Sequence, residues 1–242
     1  MGTPAKLGVL LLHGYTSSLD TVNGLLPTLA RLDLPYRMPV LRGHGTAPRD
    51  LRGVTWPDWY ADATAALDAL LSEVERAAVV GLSMGGLVAT QLGIERAAQL
   101  AGVALVAPAF GFTSPLAPFS GLLSKVLHYT PAPRAIYDDA AYQRNTNYTQ
   151  VEGGSFASLY AYSQLIGRRV PEFQLPLLVV ASRRDQIIPP KVTAATLERF
   201  GTPPAARQIH WLERSGHEIL MDMERDTAFG IIGDWLATLR DA

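Results

Sequence analysis

The stretch Ala78-Val79-Val80-Gly81-Leu82-Ser83-Met84-Gly85-Gly86-Leu87-Val88-Ala89 constrains the fold more than any other part of this chain. A β-branched apolar run leads into G-x-S-x-G, and an Ala/Leu-rich run leads out. That text spells a strand, a tight turn and a helix. A serine on so sharp a turn projects its hydroxyl from the top of a sheet. A side chain at Gly81 or Gly85 would collide with the neighbouring helix or strand. The same turn brings the amide of Met84, at the helix N-terminus, beside Ser83. There it can stabilise a developing negative charge.

The surrounding text alternates strands with helices. Leu7–Leu12 reads as a short buried strand. Thr16, Ser17, Ser18 and Asp20 offer caps for a helix using Val22, Leu25, Leu26, Leu29 and Leu32. Tyr36–Val40 reads as a strand, and Arg42-Gly43-His44-Gly45 as a loop. Thr55, Pro57 and Asp58 open an amphipathic helix with the stripe Trp59, Ala63, Leu67, Leu70, Leu71 and Val74. The strand Ala77–Val80, the helix Leu87–Ala97 and the strand Gly102–Val106 follow. After Pro176 come the strand Leu177–Ala181, a helix from Pro190 to Gly201, the strand Arg207–Leu212 and the helix Asp226–Leu239. This order implies an α/β fold with a mostly parallel sheet covered on both faces, its ligand beyond the carboxyl ends of the strands.

Residues 109–172 break the alternation. A structureless loop of that length is improbable inside a compact domain, so helices are expected there. Leu116, Phe119, Leu122, Leu123, Val126 and Leu127 fall at helical spacing, as does Phe156 to Ile166. The expected organisation is a core domain of residues 1–108 and 176–242 and a cap of residues 109–175, inserted after Gly102–Val106 and above the turn that carries Ser83.

Composition excludes several classes. The chain has 242 residues and a formal net charge of −1 from 21 basic and 22 acidic residues. No basic field is available for nucleic acid or an anionic membrane. There is no cysteine, which removes disulfides, a thiol nucleophile and thiolate-bound metal, and suits a cytoplasmic protein. No export signal is expected, since Leu7 to Leu12 runs directly into His13-Gly14. The uncharged segment between Arg96 and Lys125 is long enough for a membrane span, but Gly102, Pro108, Gly111, Pro115, Pro118 and Gly121 interrupt it. Stable membrane insertion is therefore not expected.

A serine hydroxyl needs a base within hydrogen-bond reach. Of five histidines, His217 follows the last strand at the sheet edge where Ser83 lies. His13 and His44 are the alternatives; His128 falls in the cap and His210 inside a strand. The base needs a carboxylate to fix its tautomer. Asp185 follows the strand Leu177–Ala181 at the same edge, whereas Asp222 and Glu218 share a segment with the histidine they would orient. A second oxyanion donor, besides the Met84 amide, is expected from the Tyr15 amide after Leu12-His13-Gly14. His13 is then structural, bonded to the loop backbone. No metal or organic cofactor is required by this chemistry.

These motifs together, Leu-Leu-Leu-His13-Gly14-Tyr15, Arg42-Gly43-His44-Gly45, Trp56-Pro57-Asp58-Trp59, Gly81-Leu82-Ser83-Met84-Gly85-Gly86, Asp185 with Pro189, and Ser215-Gly216-His217, resemble the bacterial carboxylesterase/monoacylglycerol lipase branch of the α/β-hydrolases. The resemblance spans the chain except the cap. It implies an α/β-hydrolase fold with a small helical cap, and a serine esterase acting on short- to medium-chain esters or monoacylglycerols. It also implies a triad of Ser83, Asp185 and His217, with Tyr15 and Met84 as oxyanion donors. The leading antiparallel strands of larger family members are expected to be absent. Tyr15, His44, Phe110, Phe112, Leu116, Phe119, Leu122 and Leu123 are expected to line the substrate site. No long exposed apolar face is expected, which favours short or medium esters over bulk lipid. The alternatives are a thioesterase, a carbon–carbon or amide hydrolase with the same triad, or a ligand-binding protein on this scaffold. The expected partner is a small-molecule ester, handled by a monomer or homodimer.

Overall fold

The computed structural model describes residues 5–241. In chain order the elements are β1 (Ala5–Leu12), α1 (Asp20–Asn23), α2 (Leu26–Arg31), β2 (Tyr36–Arg37), α3 (Trp56–Leu71), β3 (Val74–Leu82), α4 (Met84–Glu95) and β4 (Leu100–Val106). Then come α5 (Ser120–Leu123), β5 (Tyr129–Pro131), α6 (Asp139–Arg144), β6 (Gln150–Glu152) and α7 (Gly153–Arg169). The chain closes with β7 (Leu177–Ser182), α8 (Pro190–Leu197), β8 (Arg207–Leu212) and α9 (Arg225–Arg240). Six strands form one sheet in the order β2-β1-β3-β4-β7-β8, and every neighbouring pair is parallel. This is the α/β fold expected from the alternation of strands and helices, with no antiparallel strand in the main sheet among the described residues.

Alternation along the strands divides the core in two. Leu10 and Leu12 of β1 join Trp59, Ala63 and Leu67 of α3 and Leu87, Val88 and Leu92 of α4 on one face. Leu7, Val9 and Leu11 meet α1, α2 and α9 on the other, through Val22, Leu29, Ile232 and Leu236. Each strand buries side chains on both faces, which is why these runs are continuously apolar in the text.

Several elements differ in extent from their sequence patterns. The helix expected over Val22 to Leu32 is two short pieces, because the chain turns at Gly24-Leu25 and restarts with Pro27 near the first turn. The strand expected over Tyr36–Val40 pairs only at Tyr36 and Arg37. Val74, counted on the α3 stripe, begins β3 instead. Helix α3 itself starts as its text indicates: Thr55 N–H donates to Asp58 Oδ2 at 2.9 Å.

Between β4 and β7 the chain runs through α5, α6, α7 and a two-stranded antiparallel ribbon of β5 and β6. The apolar spacing from Leu116 to Leu127 does not yield one helix. A 3₁₀ turn at Ala117–Phe119 and the single turn α5 replace it, since Pro118 and Gly121 interrupt the run. Its side chains stay outside: Leu116 is 58%, Phe119 58%, Leu122 67% and Val126 76% exposed. The structure thus carries an exposed apolar patch where the sequence predicted none. Helix α7 behaves differently. Leu159, Tyr162 and Ile166 are buried in the layer that holds α3 and α4, and Tyr162 stacks on Trp56 at 4.9 Å.

Candidate active site

The parallel registers carry the functional loops to one edge. Leu12 pairs with Gly81, Leu82 with Val106, and Ser182 with Leu212. The chain therefore leaves β1 at His13, β3 at Ser83, β7 toward Asp185 and β8 toward His217, all at the carboxyl ends.

Ser83 has φ 53 and ψ −112. A side chain at positive φ is strained, and surrounding structure must enforce it. Its N–H donates to the Val106 carbonyl at 2.9 Å, and its carbonyl accepts from Gly86 N at 2.9 Å and Ala109 N at 3.2 Å. The glycines make the turn sterically feasible. A β-carbon on Gly85 would lie 2.5 Å from the Leu12 carbonyl oxygen, and one on Gly14 would lie 3.3 Å from Ser83 Cβ. The Tyr15 and Met84 N–H groups have no backbone hydrogen-bond partner among the described residues. They flank Ser83, one at the loop after β1 and one at the first turn of α4.

A chain of hydrogen bonds links the three groups expected as a triad. His217 Nε2 lies 2.8 Å from Ser83 Oγ, and His217 Nδ1 lies 2.8 Å from Asp185 Oδ2. The other carboxylate oxygen, Asp185 Oδ1, accepts from Ile187 N and Ile188 N, both at 2.8 Å. All three residues are buried. The tautomer with the proton on Nδ1 lets that nitrogen donate to Asp185 and leaves Nε2 free to accept from Ser83. Burial works to lower the His217 pKa, but the charge and hydrogen bond of Asp185, joined by the charge of Glu218, outweigh it and raise it above the usual imidazole value. Such a chain can draw the proton from Ser83 as its oxygen attacks a carbonyl, and can return that proton to a leaving group.

Further acidic residues hold the loop in place. Asp222 is buried, and it accepts from Gly216 N at 2.6 Å, Tyr137 N and Asp138 N at 2.8 Å and Met223 N at 2.9 Å. Glu224 accepts from Arg214 N and Ser215 N at 2.8 Å. In sequence, Asp222 stands out only as a possible partner for His217. Its role as a staple for backbone amides has no spacing signature, because three of its donors sit in Gly216, Tyr137 and Asp138.

The other histidines are placed differently. His13 Nδ1 donates to the Gly14 carbonyl at 2.8 Å, and its Nε2 accepts from Leu41 N at 3.0 Å. Burial lowers its pKa to about 4, against the bond to Gly14. His44 stands edge-on to His13 at 4.8 Å and stacks on Tyr148 at 6.3 Å. Burial lowers its pKa to about 3, with the neighbouring His13 adding to the effect. Both are neutral packing groups beneath the site.

Above Ser83 lies a cavity of about 230 Å³. Its walls include Tyr15, Phe112, Ile136, Tyr148, Phe156 and Ile187, with Ser83 and His217 at the base. Of the residues expected to line the substrate site, Tyr15 and Phe112 line this cavity. His44 packs below. Phe110 is buried against Phe200 at 5.9 Å. Leu116 and Leu123 border a separate groove beneath α5, while Phe119 and Leu122 point outward. Helical spacing alone did not reveal that the wall would come from the irregular segments, at Ile136, Tyr148 and Ile187. The Tyr15 hydroxyl donates to the Glu152 carbonyl at 2.9 Å and lies 2.8 Å from Ser155 Oγ.

Known proteins share this geometry's framework. Over 235 residues the chain is 27% identical to a carboxylesterase of Bacillus subtilis (strain 168), covering 96% of this chain and 92% of that protein. Over 224 residues it is 24% identical to a thermostable monoacylglycerol lipase of Bacillus sp. (strain H-257), covering 90% and 86%. A metagenome-derived lipolytic enzyme superposes with a TM-score of 0.90 at 24% identity, covering 100% of this chain and 96% of that one. The monoacylglycerol lipase of Paleococcus ferrophilus does so with a TM-score of 0.81 at 18% identity, covering 99% and 97%. These neighbours share the α/β-hydrolase fold. The family described as "Serine aminopeptidase, S33" matches residues 3–224, and the chain belongs to that family.

Proposed function

We propose that this protein is a serine carboxylesterase, hydrolysing short- to medium-chain carboxylic esters or monoacylglycerols through an acyl-enzyme on Ser83. The observation that carries the reading is the unbroken chain from Ser83 Oγ to His217 to Asp185, with both links at 2.8 Å, at the base of a largely apolar cavity. The carboxylesterase and monoacylglycerol lipase among its relatives support it.

In the proposed reaction Ser83 Oγ attacks the ester carbonyl while His217 Nε2 takes its proton. The amides of Tyr15 and Met84 hold the tetrahedral oxyanion, and one such donor is worth about 3 kcal/mol in the transition state. His217 then gives the proton to the leaving alcohol. Water, activated by the same imidazole, releases the carboxylic acid. Residues 109–175 serve as the cap over this site. The substrate is a small-molecule ester and the working unit a monomer or homodimer. A cytoplasmic location is proposed on the cysteine-free sequence. No helix among the described residues is long and apolar enough to cross a membrane.

The family description names an aminopeptidase, so amide hydrolysis by the same groups is the second reading. Assaying p-nitrophenyl esters of two to ten carbons beside aminoacyl p-nitroanilides separates the two. Ester turnover, with a serine-directed phosphonate adding one mass adduct at Ser83, is the expected result. Turnover of the anilides alone would favour the peptidase reading. Neither turnover nor adduct would overturn both and leave a ligand-binding protein.

A further inference from the structure

Glu218 follows His217 in the chain and lies in the wall of the same cavity. It is 4% exposed. Its Oε1 accepts from Ser17 Oγ at 3.1 Å and from Asn147 Nδ2 at 3.2 Å. Its Oε2 is buried with no hydrogen-bond partner among the described residues. Its backbone N–H donates to the Ala135 carbonyl at 3.1 Å. Three segments thus converge on it: the loop after β1, the stretch before β6 and the stretch before α6.

The two donors at Oε1 favour the ionised carboxylate and oppose the burial that raises its pKa. Both neighbours of Oε1 donate, so a proton there would face donors. A buried negative charge with one free oxygen exerts its field on whatever charge develops nearby. Asp222, the other buried acid of this loop, differs: its two oxygens receive four backbone amides, which disperse its charge.

We propose that Glu218 is a positioning residue for His217: its carboxylate, fixed by Ser17 and Asn147, is a second counter-charge, beside Asp185, for the imidazolium that forms during ester hydrolysis. The proposal rests on the esterase reading above. The charged groups that act on His217 are Asp185, bonded to its Nδ1 at 2.8 Å, and Glu218, and those that act on Glu218 are His217 and Asp185. Ser17, Asn147 and Ala135, on the other elements packed against Glu218, are neutral. Burial raises the Glu218 pKa above the usual carboxylate value, with the charge of Asp185 adding to it, against the opposing pull of His217 and of the hydrogen bonds from Ser17 and Asn147.

The sign of the effect is specific. Removing the negative charge makes the imidazolium less stable, so His217 stays neutral to lower pH. The acidic limb of kcat/KM then moves down by about one pH unit. The transition state loses the same support, so the plateau kcat falls by about tenfold. Glu218→Gln is therefore slower at neutral pH yet retains a larger fraction of its plateau activity in acid. Glu218→Asp keeps the charge and holds the limb near its wild-type position.

The test is a pH series on a p-nitrophenyl ester for wild type, Glu218→Gln and Glu218→Asp, with histidine side-chain NMR titration of His217 in a Ser83→Ala background. The proposal expects both readouts to move down in Glu218→Gln and to stay near wild type in Glu218→Asp. A fall in kcat with the limb and the NMR titration unmoved would show a merely structural role and overturn it. So would equal shifts in both variants. Should wild type turn over no ester, the esterase reading fails, and the NMR titration still decides the pairing. Should Glu218→Gln not fold, the carboxyl carbon of Glu218 in the unsubstituted protein serves. Coupled titration requires its curve to carry the inflection of His217, and a single-site curve overturns the proposal.

Discussion

Gly81 and Gly85 meet across the turn at Ser83 with no room for a β-carbon: one built on Gly81 lies 2.3 Å from the Gly85 carbonyl oxygen and 2.8 Å from Gly86 N. The obstacle is backbone, which cannot rotate away as a side chain can. Gly81→Ala is therefore expected to lower the unfolding free energy by about 3 kcal/mol and to displace Ser83 from His217. A β-carbon on Gly230 in α9 would meet no atom of the described residues within 4 Å, so Gly230→Ala is expected to add about 0.5–1 kcal/mol of helix stability. Urea unfolding of the two variants checks the pair. Equal stability would refute the steric argument.

Ser83 and His217 act on one proton, so their losses should not add. Ser83→Ala and His217→Ala are each expected to reduce kcat by about 10⁶, with the double variant hardly slower. Asp185→Asn, which lets Nδ1 meet a donor, should reduce it by about 10⁴. Steady-state rates on one chromogenic ester are sufficient. Losses that multiply in the double variant would mean that the two side chains do not work as a unit.

The groups whose positions follow from strand order were legible in the text. Ser83, Asp185 and His217 each follow a strand of a parallel sheet, so topology alone brings them to one edge. The cavity wall was not legible for a physical reason. Ile136 and Tyr148 sit in segments without periodicity, held by contacts with residues distant in sequence: Tyr148 N–H donates to the Thr16 carbonyl at 2.8 Å and its hydroxyl to the Gly43 carbonyl at 2.9 Å. The stripe from Leu116 to Leu127 misled because spacing records which side chains share a face. It does not record whether Pro118 and Gly121 permit the helix that would present that face.

Stability should decline in mild acid. His13 and His44 hold folded-state pKa values of about 4 and about 3, below the value near 6.5 of an unfolded chain. The sign follows: their contribution is whole above about pH 6.5 and is lost as pH falls toward the folded values. By pH 5 each removes about 2 kcal/mol. His217 shifts upward and contributes in the opposite sense, offsetting part of this. Unfolding free energy from urea titrations is expected to fall by about 2–4 kcal/mol between pH 7 and pH 5. His44→Gln should flatten that slope. A slope unchanged by the substitution would mean that His44 does not titrate on unfolding.

The Tyr15 hydroxyl joins the loop after β1 to the start of α7, through the Glu152 carbonyl and Ser155. Tyr15→Phe removes that link and leaves the Tyr15 amide in place. It is expected to destabilise the protein by about 1 kcal/mol and to speed hydrogen exchange at residues 150–156. Exchange rates in that stretch matching wild type would show that the hydroxyl does not tether it.

Phe156 divides two spaces. It lines the cavity above Ser83 and also the groove bordered by Leu116, Leu123 and Leu127 beneath α5, and Val151 is shared in the same way. Its ring meets Phe112 edge-on at 5.2 Å. Truncation by Phe156→Ala is expected to join the spaces and shift the preferred acyl chain toward longer esters. Phe119 and Leu122 are exposed and border neither space. Phe119→Ser and Leu122→Ser should therefore change stability by no more than about 0.5 kcal/mol and leave kcat/KM on a short soluble ester unaltered. A series of p-nitrophenyl esters of increasing chain length reads out all three variants. An unshifted profile in Phe156→Ala, or a shifted one in Leu122→Ser, would place the acyl group elsewhere than against Phe156.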